Sequence, residues 1–235
     1  MWNLEELEQE RTGEDKMNAL GIYFDDIHSY YDLDLFLAQD GVHIPPAQPK
    51  TNYVDLAGGD GSLDLTEAHG EVKFSDRNCK FTFVLNPSSE MTFDEKKTQV
   101  SNALNGKRCK ITLDKDPDHY YVGRCSVNEH LQDKRILQIV VTATVAPYKR
   151  KQRETVVSFN LTESEQTVNL LNGRKAVVPE ITCTNDNTVV VFGNVTKTFG
   201  VGIHNDLDVQ FKEGANMLKL SGNGTITFKY QEANL

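Results

Sequence analysis

The stretch DLAGGDGSLDLT, residues 55–66, packs Gly58, Gly59, Asp60 and Gly61 between leucines, and its reading decides the fold. A calcium loop would need helices on both sides of it, a phosphate cradle would need a strand before it and a helix after it, and a tight turn would need two strands. With Gly61 at the sixth position of a calcium loop, Asp60, Leu63 and Glu67 fall where they should, but Leu56 and Gly58 then occupy the first and third positions, where oxygen ligands are required. A phosphate cradle needs helix N-terminal amides facing the anion, and a P-loop adds a lysine. Here Leu63 and Leu65 continue an alternating pattern and no lysine stands in the loop. What remains is conformational. Glycine tolerates positive φ, and Asp60-Gly61 signals a tight hairpin connection. Val54 and Leu56 before the glycines and Leu63 and Leu65 after them fall on alternate positions, so the four share one face of a β-hairpin.

On the N-terminal side, Pro45, Pro46 and Pro49 exclude a central strand, because proline fixes φ and cannot donate to a ladder; an extended arm fits. Before it, GIYFDDIHSYYDLDLFL (21–37) alternates apolar and acidic residues, as in strand pairs with one solvated face. Residues 1–17 are rich in Glu, with few large apolar side chains, and form an acidic extension. After the hairpin, KFTFVL (80–85) is a strand. Thr92 with Glu95 makes a capping box that opens one helix over 93–105. Phe93, Val100, Ala103 and Leu104 share a face of it, and Gly106 marks its stop. CKITLD, a turn at KDPD, HYYVGRCSV and RILQIVVTATV complete a mainly antiparallel sheet domain over 18–147.

At YKRKQRE (148–154) the composition turns basic, which reads as a solvated linker or a strand edge guarded by charge. TVVSFNL, TVNLL, TVVVFG, TFGVGI, LDVQF, NMLKL and TITFKY then recur with Asn, Asp and Gly turns at the spacing of a β-sandwich or jelly roll, giving a second domain over 148–235. The expected class is all-β with one helix.

Function classes narrow by exclusion. A net charge of −9 disfavours non-specific binding to nucleic acid or to an anionic membrane. No apolar run is long enough to span a bilayer, and no leader pattern opens the sequence, so cytoplasmic folding without membrane insertion is expected. Cys79, Cys109, Cys125 and Cys183 lack metal-pair spacing and read as buried hydrophobes. His28, His43, His69, His119, His130 and His204 show no ligand spacing and read as isolated surface or packing residues. No nucleophile elbow is present. No catalytic, cofactor or metal residue is proposed, and no cofactor is expected.

The order of these features resembles the siphophage distal tail protein (Dit) family. The N-terminal domain of that family is matched by GIYFDDIHSYYDLDLFL, IPPAQPK, LAGGDGSLDL, KFTFVL, the helix and CKITLDKDPDHYYVGRCSV in sequence. FKEGANMLKLSGNGTITFKY (211–230) is similar to its C-terminal signature, a Gly-x-Asn turn leading to paired strands that finish near a tyrosine, here Tyr230. The resemblance covers roughly residues 18–230. It implies a homo-oligomeric ring, usually a hexamer, at the virion tail tip, assembled in the host cytoplasm through the N-terminal domain. Its implied partners are the tail-tube protein, the tail-associated hub or fibre protein, the tape-measure protein and receptor-binding proteins, with DNA passing through the lumen without specific binding. The C-terminal domain is implied to be a galectin-like or carbohydrate-module-like sandwich. The acidic start is longer than usual for the family, and long insertions are absent from the second domain.

A ring suits the physical reading. A proline-stiffened arm loses little entropy on crossing to a neighbour, and closed symmetry satisfies the hairpin edge. Subunit contact is therefore expected over 41–66, at Pro45, Pro46, Pro49, Gly58, Gly59, Asp60 and Gly61. Two other classes compete. A carbohydrate-binding or adhesion module would use the second domain, but Phe192, Phe199, Phe211 and Tyr230 alternate as core residues there, and the one tryptophan is Trp2. A hydrolase would rest only on the carboxylate-rich loops FDDIH and DKDPDH.

Overall fold

The computed structural model describes residues 20–68, 70–85, 91–131 and 137–235; the acidic extension with Trp2, and His69, lie outside them. The chain divides into two compact units, the first ending at Pro147 and the second running from Tyr148 to Leu235.

In the first unit the strands are β1 (Ile22–Phe24), β2 (Ile27–His28), β3 (Leu35–His43), β4 (Tyr53–Asp55), β5 (Ser62–Asp64), β6 (Arg77–Leu85), β7 (Arg108–Leu113), β8 (Asp116–Leu131) and β9 (Leu137–Val145), with one helix, α1 (Phe93–Leu104). Seven of them form an antiparallel sheet in the order β2-β1-β7-β8-β9-β6-β3, and β4 pairs only with β5. Alternation does the sorting. In β6, Cys79, Phe81 and Phe83 are buried while Asn78 and Lys80 are exposed, the period-two signature of a sheet with one covered face. The sheet curls over its own core. Phe24 of β1 lies 6.0 Å from Phe81 and 6.4 Å from Phe83 of β6, although three strands separate β1 from β6 in sheet order. Each such fully buried ring contributes about 1.5–3 kcal/mol over leaving it exposed.

The helix is capped as its sequence requires. Thr92 Oγ1 accepts the Glu95 N–H, and Glu95 returns the bond to the Thr92 N–H at 2.9 Å. Val100 and Leu104 reach the core, with Phe93 and Ala103 packed against it. Lys96, three residues after Phe93 and four before Val100, falls on the same face and is 3% exposed, and its Nζ donates to Leu33 O and Gln99 Oε1, each at 3.0 Å. The turn expected at KDPD is tighter and earlier: it occupies Asp114 and Lys115, and β8 begins at Asp116 and includes Pro117. The pairing of β7 with β8 shifts register there, so the missing proline N–H falls where the ladder is already irregular.

The second unit adds β10 (Lys149–Lys151), β11 (Thr155–Leu161), β12 (Gln166–Asn172), β13 (Glu180–Cys183), β14 (Thr188–Phe192), β15 (Val195–Phe199), β16 (Gly202–Asn205), β17 (Gly214–Ser221), β18 (Gly224–Tyr230) and β19 (Ala233–Asn234). Two antiparallel sheets, β11-β18-β13-β16 and β12-β17-β14-β15, pack through Leu161, Ile181, Ile226 and Phe228 on one side and Leu170, Val190, Leu218 and Leu220 on the other. The basic cluster is not simply solvated: Lys149–Lys151 form a half-buried strand paired to β19, and Lys151 Nζ holds Glu232 Oε1 at 2.8 Å. TFGVGI is not one strand, because its halves belong to β15 and β16 in different sheets. LDVQF is a turn that leaves Leu207 exposed and buries Val209 and Phe211, and Phe211 bridges Val177.

Candidate assembly surface

The excursion between β3 and β6 is built in two tiers. It starts at a bulge. The pairing of β3 with β6 slips between Leu37 and Val42, Asp40 takes φ 53°, and a Cβ on Gly41 would stand 2.5 Å from Thr82 O. Beyond β3, Pro45 O accepts a 3.5 Å bond from Arg77 Nη1; Arg77 is buried, its guanidinium carbon lies 5.8 Å from the Tyr121 ring centre, and its Nε and Nη2 meet no acceptor among the described residues. The lower tier is a short antiparallel stem. Pro49 bridges Phe74, the Lys50 N–H donates to Lys73 O at 2.7 Å, and the Ser75 N–H donates to Gln48 O at 2.9 Å.

The upper tier is the β4–β5 hairpin, with Val54 directly opposite Leu63 and Tyr53 opposite Asp64. Its connection is longer than Asp60-Gly61 alone. Six residues, Leu56–Gly61, link the strands: the Gly59 N–H closes a turn onto Leu56 O at 3.1 Å, and Gly58 and Gly61 both sit at φ 77°, where a side chain would be strained. Ser62 Oγ donates to Asp55 Oδ1 at 2.8 Å, and Asp64 Oδ1 accepts the Thr66 N–H at 2.9 Å. The Thr66 bonds hold the Asp64 carboxyl below its ordinary pKa.

Nothing among the described residues covers this hairpin. Every residue of β4 and β5 is exposed, and Tyr53, Val54, Leu56 and Leu63 keep 59%, 44%, 51% and 49% of their surfaces open. A two-stranded hairpin on its own is marginal in water, and clustered exposed apolar side chains mark an interaction surface. Of the residues expected at the contact, Gly58, Gly59, Asp60 and Gly61 form the tip, Pro46 and Pro49 lie exposed along the stem, and Pro45 is half-buried at the root. No group of three or more His, Cys, Asp or Glu among the described residues could hold a metal ion.

The two carboxylate-rich loops do meet, which the sequence did not reveal. His28 Nε2 lies 3.1 Å from Asp114 Oδ2, an oxygen that also accepts the Gly21 N–H at 2.7 Å. His28 Nδ1 accepts the N–H groups of Tyr30 and Tyr31 at 3.2 and 3.1 Å, which fixes Nε2 as the protonated nitrogen. Tyr23 and Tyr31 flank the ring, each with its ring centre at 4.5 Å. Buried Ser29 is adjacent, but its Oγ accepts the Ile22 N–H at 3.1 Å and both nitrogens of His28 are already engaged. With His28 1% exposed and both of its nitrogens engaged, the cluster acts as a clamp joining β1, β2 and the β7–β8 turn. In the second unit Phe199, Phe211 and Tyr230 are buried and Phe192 packs against them, so these rings form no exposed platform. Asn216 of the Gly-x-Asn turn is also buried. Its Oδ1 accepts the Lys212 N–H at 2.8 Å, and its Nδ2 donates to Lys212 O at 2.8 Å and Gly214 O at 3.1 Å.

These features define a class: an all-β chain of two units, a curled sheet with one helix followed by an eight-stranded sandwich, with an uncovered hairpin on a stem. Among solved structures this fold is similar to that of SPP1 Dit (gp 19.1), described as a paradigm of the hub adsorption apparatus in phages infecting Gram-positive hosts. The TM-score is 0.65 and the identity 14%, and the match covers 90% of this chain and 98% of that one. At that identity the likeness is one of fold, and it bears out the all-β class expected from the sequence. No protein-family model matches the chain, and no curated protein matches it in sequence. No helix among the described residues is long and apolar enough to cross a membrane.

Proposed function

We propose that this chain is a structural hub protein at the distal end of a long non-contractile phage tail, or of a tail-derived particle. It is not an enzyme. It assembles through its first unit into a closed ring, six copies being the expected number, and joins the tail-tube protein to the tail-associated hub or fibre protein, with the tape measure in the lumen. It is assembled in the host cytoplasm and ends at the virion tail tip. The second unit is a galectin-like sandwich.

The observation that carries this reading is the extent of the fold likeness. A single β-sandwich recurs in many unrelated functions, whereas a curled sheet with one helix and then a sandwich, matched over 90% of this chain and 98% of the SPP1 hub protein, is a far more specific arrangement. The hairpin supplies the physical need: its apolar face finds a partner if it crosses to a neighbouring copy, and closed rotational symmetry gives every copy the same partner. On this reading Pro45, Pro46 and Pro49 stiffen the arm, and Gly58, Gly59, Asp60 and Gly61 shape its contacting tip. Negative-stain imaging of the purified chain tests it. Closed rings with a central opening are expected; persistent monomers across the micromolar range would contradict it. Saturable glycan binding by the full chain, lost on substitution in the second unit, would instead favour the adhesion reading.

A further inference from the structure

Arg77 opens β6 and stands at the foot of the excursion, bonded to Pro45 and just beyond the stem bond of Ser75. Its side chain is 6% exposed, and no carboxylate among the described residues pairs with it. The contact with Pro45 O, at 3.5 Å, is at the limit of a hydrogen bond, whereas Lys96, also buried, is satisfied by Leu33 O and Gln99 Oε1 at 3.0 Å each. The nitrogens left without an acceptor among the described residues are Nε and Nη2. These lie on one edge of the guanidinium with their N–H bonds parallel, the fork that takes both oxygens of a carboxylate. A buried charge in that state is costly, and a carboxylate brought to it would relieve the cost.

The root of the arm is built to let the fork out. Residues 45–47 make no other hydrogen bond with a described residue, and Pro45 and Pro46 carry no N–H with which to make one. Once they lift, the long flexible stem of Arg77 can turn its fork outward. The hairpin carries three carboxylates, and two are already engaged: Asp55 Oδ1 accepts the Ser62 hydroxyl and Asp64 Oδ1 accepts the Thr66 N–H. Asp60, at the tip between Gly59 and Gly61, is exposed and bonds no described residue. We infer that the Asp60 carboxylate of one copy seats in the Arg77 fork of the next, so that the tip of one arm locks onto the root of its neighbour's. This rests on the reading that the hairpin crosses between copies. Tip and root are different surfaces, so the contact is head-to-tail, the kind that closes a ring.

Sedimentation velocity of the full chain over a concentration series tests the pairing, with unfolding midpoints taken where the chain is unassembled. Asp60→Asn keeps the shape of the tip and removes its charge; the concentration for half-assembly should rise at least about 30-fold, with the midpoint unchanged. Arg77→Met should weaken assembly equally and raise the midpoint of the unassembled chain, because it takes an unsatisfied charge out of the interior. A purely structural arginine would lower that midpoint instead. The double variant should assemble no more weakly than either single one, since both remove the same pair. Wild-type assembly unmoved by Asp60→Asn, which is also the result if a free anion fills the fork, would overturn this inference and leave the hub reading standing. So would losses that multiply in the double variant. A wild type that stays monomeric throughout would overturn the hub reading, and the pairing with it.

Discussion

Asp114 and His28 are 86 residues apart in sequence and 3.1 Å apart in space, and through them the β7–β8 turn is fastened to the first two strands. Replacing Asp114 by Ala leaves the His28 Nε2–H and the Gly21 N–H without their acceptor in a largely buried place. The expected cost is about 2–4 kcal/mol, seen as a lowered midpoint in urea or thermal unfolding. Asp114→Asn retains a carbonyl oxygen and should lose less than half of that. Asp118→Ala, at an exposed position, should stay within about 0.5 kcal/mol. Equal effects from Asp114→Ala and Asp118→Ala would refute the clamp.

The four cysteines are free and buried. Burial pushes the Cys79 thiol up to about 11 and, with Cys109 beside it, the Cys125 thiol up to about 12. Raised folded values mean that the neutral thiols favour the native state. That contribution is complete below the unfolded thiol value and fades as pH climbs through the folded ones. Stability should therefore decline from about pH 9 upward, less so in Cys79→Ala. At neutral pH an aromatic disulfide reagent should titrate none of the thiols rapidly in the native protein and all four in denaturant. A single fast native thiol would contradict this.

Gly41 and Gly58 should respond differently to alanine. At Gly41 the added Cβ meets backbone, 2.5 Å from Thr82 O and 2.8 Å from Ala38 O, so the β3–β6 pairing must yield; a loss of about 1–3 kcal/mol is expected. At Gly58 there is open space and only the φ of 77° resists, costing about 1 kcal/mol. Unfolding midpoints of the two variants measure the difference, and the reverse order would mean that the bulge packs otherwise.

What the sequence made legible was local. The capping box at Thr92 and Glu95 and the alternation of β6, β11 and β18 could be read because cause and consequence lie within a few residues. What it hid depends on distant pairing. β13, at four residues Glu180–Cys183, was too short to announce itself, and the step from β15 to β16 changes sheet inside one apolar-looking run. The six-residue connection at Leu56–Gly61 replaced the two-residue turn suggested by Asp60-Gly61, because Gly58 already reverses the chain. His28 looked isolated since its acceptor arrives from β7–β8.

On the proposed reading, the β4–β5 hairpin joins one copy of the chain to the next. Sedimentation velocity of the wild type beside Val54→Ser with Leu63→Ser, at equal micromolar concentration, tests it most directly. These side chains are exposed and face each other across the hairpin, so the substitutions leave the core of either unit untouched. A closed oligomer for the wild type and a monomer with an unchanged unfolding midpoint for the variant is the expected result. An oligomer of the same mass from both would contradict the account.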